Sequence, residues 1–291
     1  MSDWLAIGDE TGNWDKIYHA QAFLGVALVI GRIADWQAAL QEEIDDQRVE
    51  SRLQNPIRHL PHLGNSRNHH LNDAFLCWER ERLAGEWSLS EPGKDPLRQE
   101  VFATLGWLAE HPRLITVGLW GRGATLKTTL FRSDDPAVAL GQAYGVLVGQ
   151  VLPFLNAGDR LLVQPGLRSE PAHLLAQQRA TAAKSVPSDD VRRDGHTRSM
   201  VSVLIDEGQR YRQTWRGEAM ATLDAGVLDH LRGKHPSLGS VYLPNDVLNA
   251  IADLGAGLLR LTCQPGATGF NLRHDPAWSN VVFHSLEEVT A

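Results

Sequence analysis

WLAIGDETGNWDKIYHAQAFLGVALVIG, residues 4–31, decides the fold. WLAIGD reads as a short buried strand that ends in charge at Asp9 and Glu10. The polar run that follows, with Gly12 and Asn13 at its tip, supplies turn residues. AFLGVALVIG is a second apolar run, and Gly31 bounds it. Two apolar runs around one turn predict a β-hairpin whose first strand delivers two acids to an open edge.

Working outward, the pattern becomes helical from Ile33 to Leu53 and again over about 73–84 and 96–110. Two prolines, a glycine and four histidines interrupt it over 55–72. RLITVGLWGRG reads as a strand, and LKTTLFR as a partner for it. Asp134-Asp135-Pro136 has the carboxylate, the acidic charge and the proline of a helix start. The helix it opens, over 136–155, is apolar on almost every side and belongs against a sheet. DRLLVQPG, MVSVLID, LGSVYLP and VVFHSL are further strand candidates. GEAMATLDAGVLDHLR reads as a helix, as does NDVLNAIADLGAGLLRL, which Asn245 or Asp246 would cap. Strands alternate with helices only in the second half. A hairpin followed by that alternation predicts an α/β protein with a mixed, partly antiparallel sheet. We expect one domain over 1–291, with a helical insertion at 33–110 and a polar, locally basic insertion at 166–199.

Composition sets the outer bounds. With 43% hydrophobic and 22% charged residues, 291 positions can bury a large core. The net charge of -7 gives no global field for nucleic acid, so a local basic patch would have to supply one. Two cysteines and no CxxC pair argue against a disulfide framework or a cysteine zinc site, as a reducing cytoplasm requires. The N-terminus lacks the pattern of a signal peptide, and apolar stretches such as VLVGQVLPFL fall short of a membrane span. No GxGxxG, Walker or GxSxG pattern occurs.

Acids stand at three informative places: Asp9 and Glu10 after the first apolar run, Asp206 and Glu207 after MVSVLID, and Asp253 inside an apolar helix. An acid beside the buried stripe of Ile251, Leu254 and Leu258 must be paired, neutralised or bound to a cation. The alternative is a set of solvated surface acids. His59, His62, His69 and His70 form a second constellation, able to shuttle protons or to hold zinc, or simply to decorate a polar loop. Arg122 and Lys127 can meet phosphate, although solvated strand-end charges suffice to explain them. Trp4, Trp14, Trp36, Trp107 and Trp120 read as core or boundary residues.

WLAIGDETGNWDK resembles the Asp-Glu-Ser-Gly signature of the family called domain of unknown function 3800, with Thr11 in place of the serine. VLIDEGQRY resembles its intermediate strand ending in Asp, and IADLGAG its C-terminal Ala-Asp helix, 47 positions later. The resemblance implies a ribonuclease-H-like fold: a mixed five-stranded sheet flanked by helices, with acids on the first and fourth strands and the last helix. It implies Asp9, Glu10, Asp206 and Asp253 as catalytic acids, with Asp9, Asp206 and Asp253 holding Mg²⁺ or Mn²⁺. It also implies a histidine in the 59–70 region, with His59 and His70 as candidates. The helix over 136–155 carries no acid, so the glutamate of ribonuclease-H enzymes is missing there, and Glu10 or Glu207 would have to replace it.

The expected activity is a metal-dependent nuclease or related phosphodiester hydrolase. Arg168, Arg179, Arg192 and Arg193 of the 166–199 insertion would bind the nucleic-acid backbone. The alternatives are an inactive module of the same fold, docked on a protein partner in a larger complex, and a histidine-based zinc hydrolase. No membrane partner is expected.

Overall fold

A computed structural model describes residues 2–12, 14, 17, 19–45, 108, 111–129, 135–166, 200–210, 222–243, 245–263, 279–286 and 289. The expected helices over 73–84 and 96–110 lie outside these residues, apart from Leu108, and so does nearly all of the 166–199 insertion.

Six strands form one mixed sheet in the order β5-β4-β1-β2-β3-β6. β1 (Asp3–Gly12) and β2 (Phe23–Arg32) are the expected antiparallel hairpin. β3 (Ile115–Arg122) pairs antiparallel with β2. β4 (Arg160–Gln164) pairs parallel with β1, β5 (Thr222–Ala225) parallel with β4, and β6 (Val281–Ser285) parallel with β3. The mixed α/β sheet is therefore as expected, with six strands rather than five.

β1 lies inside the sheet and not at its edge. Its two acids nevertheless lie beyond the β4 pairing, because β4 pairs only with Asp3–Ile7. The last rung joins Ile7 to Gln164. Pro165 follows, and a residue without an N–H cannot extend the ladder. Asp9 and Glu10 thus stand beyond the end of β4, still paired with Ala27 and Val26 of β2.

Alternation along the strands builds two cores. On one face, Leu5, Ile7, Ala27, Val29 and Leu162 pack under α1 (Ile33–Asp45), α5 (Leu228–Lys234) and α7 (Asn245–Cys263). On the other face, Ala6, Leu28, Ile30, Val117, Leu119 and Val163 pack under α3 (Pro136–Val151) and a helix, α4, that covers 200–210. α2 (Gly123–Thr129) follows β3, and α6 (Pro236–Gly239) follows α5.

α3 starts as its sequence demands. Asp135 is extended, its Oδ1 accepts a hydrogen bond from the Ala137 N–H at 2.9 Å, and Pro136 fills the first turn. Together with a following 3-10 turn it makes Pro136–Phe154, 19 residues of mean hydropathy 1.4, long and apolar enough by length and composition to cross a membrane. That overturns the expectation that no apolar stretch reaches such a length. Here 78% of its most apolar stretch is buried in the α/β core.

Four local expectations fail for physical reasons. Residues 200–206 are helical and not a strand: Met200, Leu204, Glu207 and Gly208 are buried at helical spacing, while Ser202, Asp206 and Gln209 face out. α4 can lie so close because α3 presents Gly141 and Gly145 one turn apart. A Cβ on Gly141 would stand 2.6 Å from the Met200 carbonyl oxygen, and one on Gly145 would overlap the Glu207 Cβ. LKTTLFR does not pair with β3, since β6 occupies that edge, and its described part lies in α2. Thr222–Ala225 leaves the expected helix to become β5, where the Gly226 N–H extends the bonding to the Val163 carbonyl at 2.9 Å. LGSVYLP is not a strand: Leu238 lies in α6, and the Leu243 carbonyl is satisfied by the Arg232 guanidinium instead of a ladder. The α3–α4 contact gives a first prediction. Gly145→Ala should destabilise the fold by about 1–3 kcal/mol, as overpacking does, read as a lower denaturant midpoint at constant slope.

Candidate functional site

The site begins at the end of β1 and is completed by α7. By strand alternation Asp9 shares the face of Leu5 and Ile7, the face that α7 covers. α7 is fixed there by its buried stripe of Leu248, Ile251, Ala252, Leu254 and Leu258. Gly255 lets the helix settle on the sheet, since a Cβ there would be 3.0 Å from Val29 and 3.4 Å from Thr116. Asp253 falls beside this stripe, is itself exposed, and meets Asp9 through a side-chain hydrogen bond.

A hydrogen bond between two carboxyl groups requires a proton on one of them. Burial raises the Asp9 pKa well above the usual carboxylate range. The charges of Glu10 and Asp253 raise it further, as does the bond to Asp253, and a backbone hydrogen bond at Glu10 offsets only part of this. Two acids from distant parts of the chain converge here, and a cation between them would relieve the same repulsion that raises the Asp9 pKa.

Three residues outside the expected set position this pair. Gly166, just past β4, packs directly against the acids: a Cβ there would lie 2.5 Å from Glu10 Oε2 and 3.0 Å from Asp9 Oδ1. The Gly166 N–H donates to the Tyr144 hydroxyl at 3.1 Å. Tyr144 reaches across from α3 because Gly8 has no side chain, and a Cβ there would meet the ring at 2.7 Å. Gln164 ties three elements together. Its amide donates to Asn249 Oδ1 on α7 at 2.7 Å, and its carbonyl oxygen accepts from the Leu228 N–H of α5 at 2.8 Å. Asn249 is one helical turn before Asp253, so this bond sets the height of α7 over β1. The signals for these roles were slight: a Pro-Gly turn after LLVQ, and a polar-tipped aromatic in an otherwise apolar helix.

Of the expected acids, then, the structure brings Glu10 and Asp253 each beside Asp9. Asp206 does not join them. It is exposed on α4, in the layer on the opposite face of the sheet from α7. The end of the fourth strand, where the resemblance implies an acid, is Gln164, whose carboxamide is spent on Asn249 and Leu228. Glu207 is buried and ion-paired with Arg210 at 2.9 Å. His59, His62, His69 and His70, and Arg168, Arg179, Arg192 and Arg193, lie outside the described residues. Among the described residues no three or more His, Cys, Asp or Glu are grouped so as to hold a metal ion. What the site offers is a pair of carboxylates with a third beside it, a donor set that suits Mg²⁺, which usually takes one or two carboxylates and completes its shell with water and substrate phosphate. No protein-family model, curated protein or solved structure matches this chain.

Proposed function

We propose that this chain is a divalent-metal-dependent phosphodiester hydrolase, a nuclease of ribonuclease-H-like architecture that works in the cytoplasm. The observation that carries the reading is the convergence of Asp9 on β1 with Asp253 on α7, which the resemblance to the domain of unknown function 3800 family implies as a ligand pair. The mixed sheet, with β1 in its interior and the acids past the end of β4, supports it.

In this reading Asp9 and Asp253 hold Mg²⁺ or Mn²⁺, with Glu10 as a further ligand or an orienting group. The cation supplies Lewis acidity at the phosphoryl oxygen and lowers the pKa of a water. Gly166 keeps the neighbouring chain small enough for a phosphate to approach Asp9. Tyr144 and Gln164 hold the β4 end and α7 at fixed heights, and so fix the separation of the two acids. The arginines of the 166–199 insertion, Arg168, Arg179, Arg192 and Arg193, bind the nucleic-acid backbone, and His59 or His70 handles a proton.

A second reading rests on Gln164. With a carboxamide at the end of the fourth strand and no acid on α3, the fold can serve as an inactive binding module in a larger complex. Calorimetry with Mn²⁺ on the full chain near pH 7 separates the two. The nuclease reading expects saturable binding that Asp253→Ala abolishes. A heat that varies with the ionisation enthalpy of the buffer would show in addition that the metal displaces a proton. No heat at millimolar Mn²⁺ leaves only the module.

A further inference from the structure

The row of β-partners Thr11–Gly25–Trp120 crosses β1, β2 and β3 two residues beyond the row that holds Asp9, Asp9–Ala27–Gly118. Alternation puts Asp9, Thr11 and Trp120 on one face of the sheet. Two residues along a strand and two strands across place Trp120 about 12 Å from Asp9. α7 runs over the same face: Asp253 meets Asp9, and Leu259, about 9 Å further along the helix, closes on Gly25 and Gly118.

At this point the sheet ends in a cavity of about 440 Å³, within the range of small-molecule sites. Trp120 lines it and is half-buried. Phe23 stacks with the indole, ring centres 5.9 Å apart and planes 25° from parallel, and so fixes its orientation. Arg122, Gln21, Thr125 and Ser285 give the cavity a polar rim. Arg122 is exposed, and among the described residues its hydrogen-bond partner is the neutral carboxamide of Gln21, at 3.4 Å. An oriented aromatic face with an exposed guanidinium two residues along the strand matches a base and its phosphate.

We infer that this cavity seats one unpaired nucleotide of a single-stranded nucleic acid, its base against Trp120 and its phosphate at Arg122, on the strand that the Asp9–Asp253 site would cut. The inference rests on the nuclease reading for its second half only. Stacking is sequence-tolerant, which suits a strand that must be moved or cut at many positions. The separation corresponds to about three or four nucleotides at stacked spacing.

The test is fluorescence anisotropy of a 5′-labelled twelve-residue oligothymidylate, titrated with the full chain carrying Asp9→Asn, in EDTA so that neither metal nor cleavage enters. Adding Trp120→Ala should weaken binding about 10-fold, and Trp120→Phe should restore most of it. Adding Arg122→Gln should weaken binding several-fold and lower the salt slope by about one ion. Thymidine monophosphate at the same nucleotide concentration should not displace the oligomer. Circular dichroism establishes that each variant is folded; should Trp120→Ala fail to fold, Trp120→Phe and the surface variant Arg122→Gln decide. An oligomer that does not bind the Asp9→Asn chain, binding unchanged by a folded Trp120→Ala and by Arg122→Gln, or full displacement by the monophosphate would each overturn the inference. Trp120-dependent binding in a wild-type chain that cleaves nothing with Mg²⁺ or Mn²⁺ supports the inference and removes the nuclease reading alone. Cleavage indifferent to Trp120 and Arg122 does the reverse.

Discussion

Asp9→Asn is expected to lower Mg²⁺- or Mn²⁺-dependent cleavage of DNA or RNA by at least ~100-fold while making the metal-free protein more stable at pH 8. The two effects have one origin. Asp9 is a partly buried acid facing the charges of Glu10 and Asp253. Without a cation its ionised form is disfavoured, and asparagine imitates the neutral form, including a donor toward Asp253. With a cation bound as proposed, the same change would delete one of the two carboxylates assigned to hold it. Several kcal/mol of transition-state stabilisation go with the metal, and each 1.4 kcal/mol is tenfold in rate.

The sign of the pH dependence follows from linkage. The folded-state pKa of Asp9 is raised above its unfolded value. Between the two the folded protein binds more protons, so stability falls as pH rises from about 4 through the raised pKa. Melting temperatures in EDTA should therefore coincide for wild type and Asp9→Asn near pH 4, then separate in favour of the variant. Millimolar Mn²⁺ should close or reverse the gap, since ligand binding stabilises only the chain that binds. A variant that cleaves like wild type, or that is less stable than wild type across the whole pH range, contradicts the assignment of Asp9.

How far this site was legible depends on which physical signal each residue carried. Asp9 and Glu10 announce themselves because an apolar run stops at charge, and the hairpin itself follows from the two runs around one turn. Asp253 is visible as an acid beside an apolar helical stripe. The strand read over 200–206 misled because MVSVLID is β-branched, while its buried positions repeat at helical spacing, and only the groove at Gly141 and Gly145 of α3 makes that spacing decisive. An acid placed on a strand end by local pattern thereby moves to the outer surface of a helix. Gln164 and Gly166 carried too slight a signal to be read as site residues. Their roles come from where β4 stops against β1 and from which helix lies over it, and both are tertiary facts. β6 likewise fills the edge beside β3 from a segment more than 150 residues later, which no local pairing pattern encodes.

The largest effect on stability is expected far from the acids, at Asp159. Asp159 is 2% exposed and holds the opposite end of the β1–β4 pair. Its Oδ1 accepts from the Ser2 N–H at 2.7 Å, and its Oδ2 accepts from the Trp4 indole N–H at 3.0 Å and the Asn156 N–H at 3.1 Å. Arg160 adds a two-pronged ion pair to Asp3, at 2.9 and 2.8 Å. Burial alone would raise the Asp159 pKa, but the hydrogen bonds from Asn156, Ser2 and Trp4 outweigh it and hold the carboxyl below its usual value. Asp159→Ala would strand three donors, at a cost of about 3 kcal/mol, or roughly 5–10 °C in Tm for a chain of this size. Asp159→Asn should fall between, because its amide must face at least one of the three donors. The depressed pKa means that this stabilisation is complete above the unfolded value and is lost as pH falls through the folded one, so wild type and Asp159→Ala should converge in acid. Below the melting transition the Asp159→Ala protein should show the same Mn²⁺ binding as wild type, since Asp9 and Gly166 lie at the other end of the same strand pair. A selective loss of Mn²⁺ binding in folded Asp159→Ala would show instead that the two ends of β1 and β4 are mechanically coupled, and that the acids depend on a register set at residues 2–4 and 159–161.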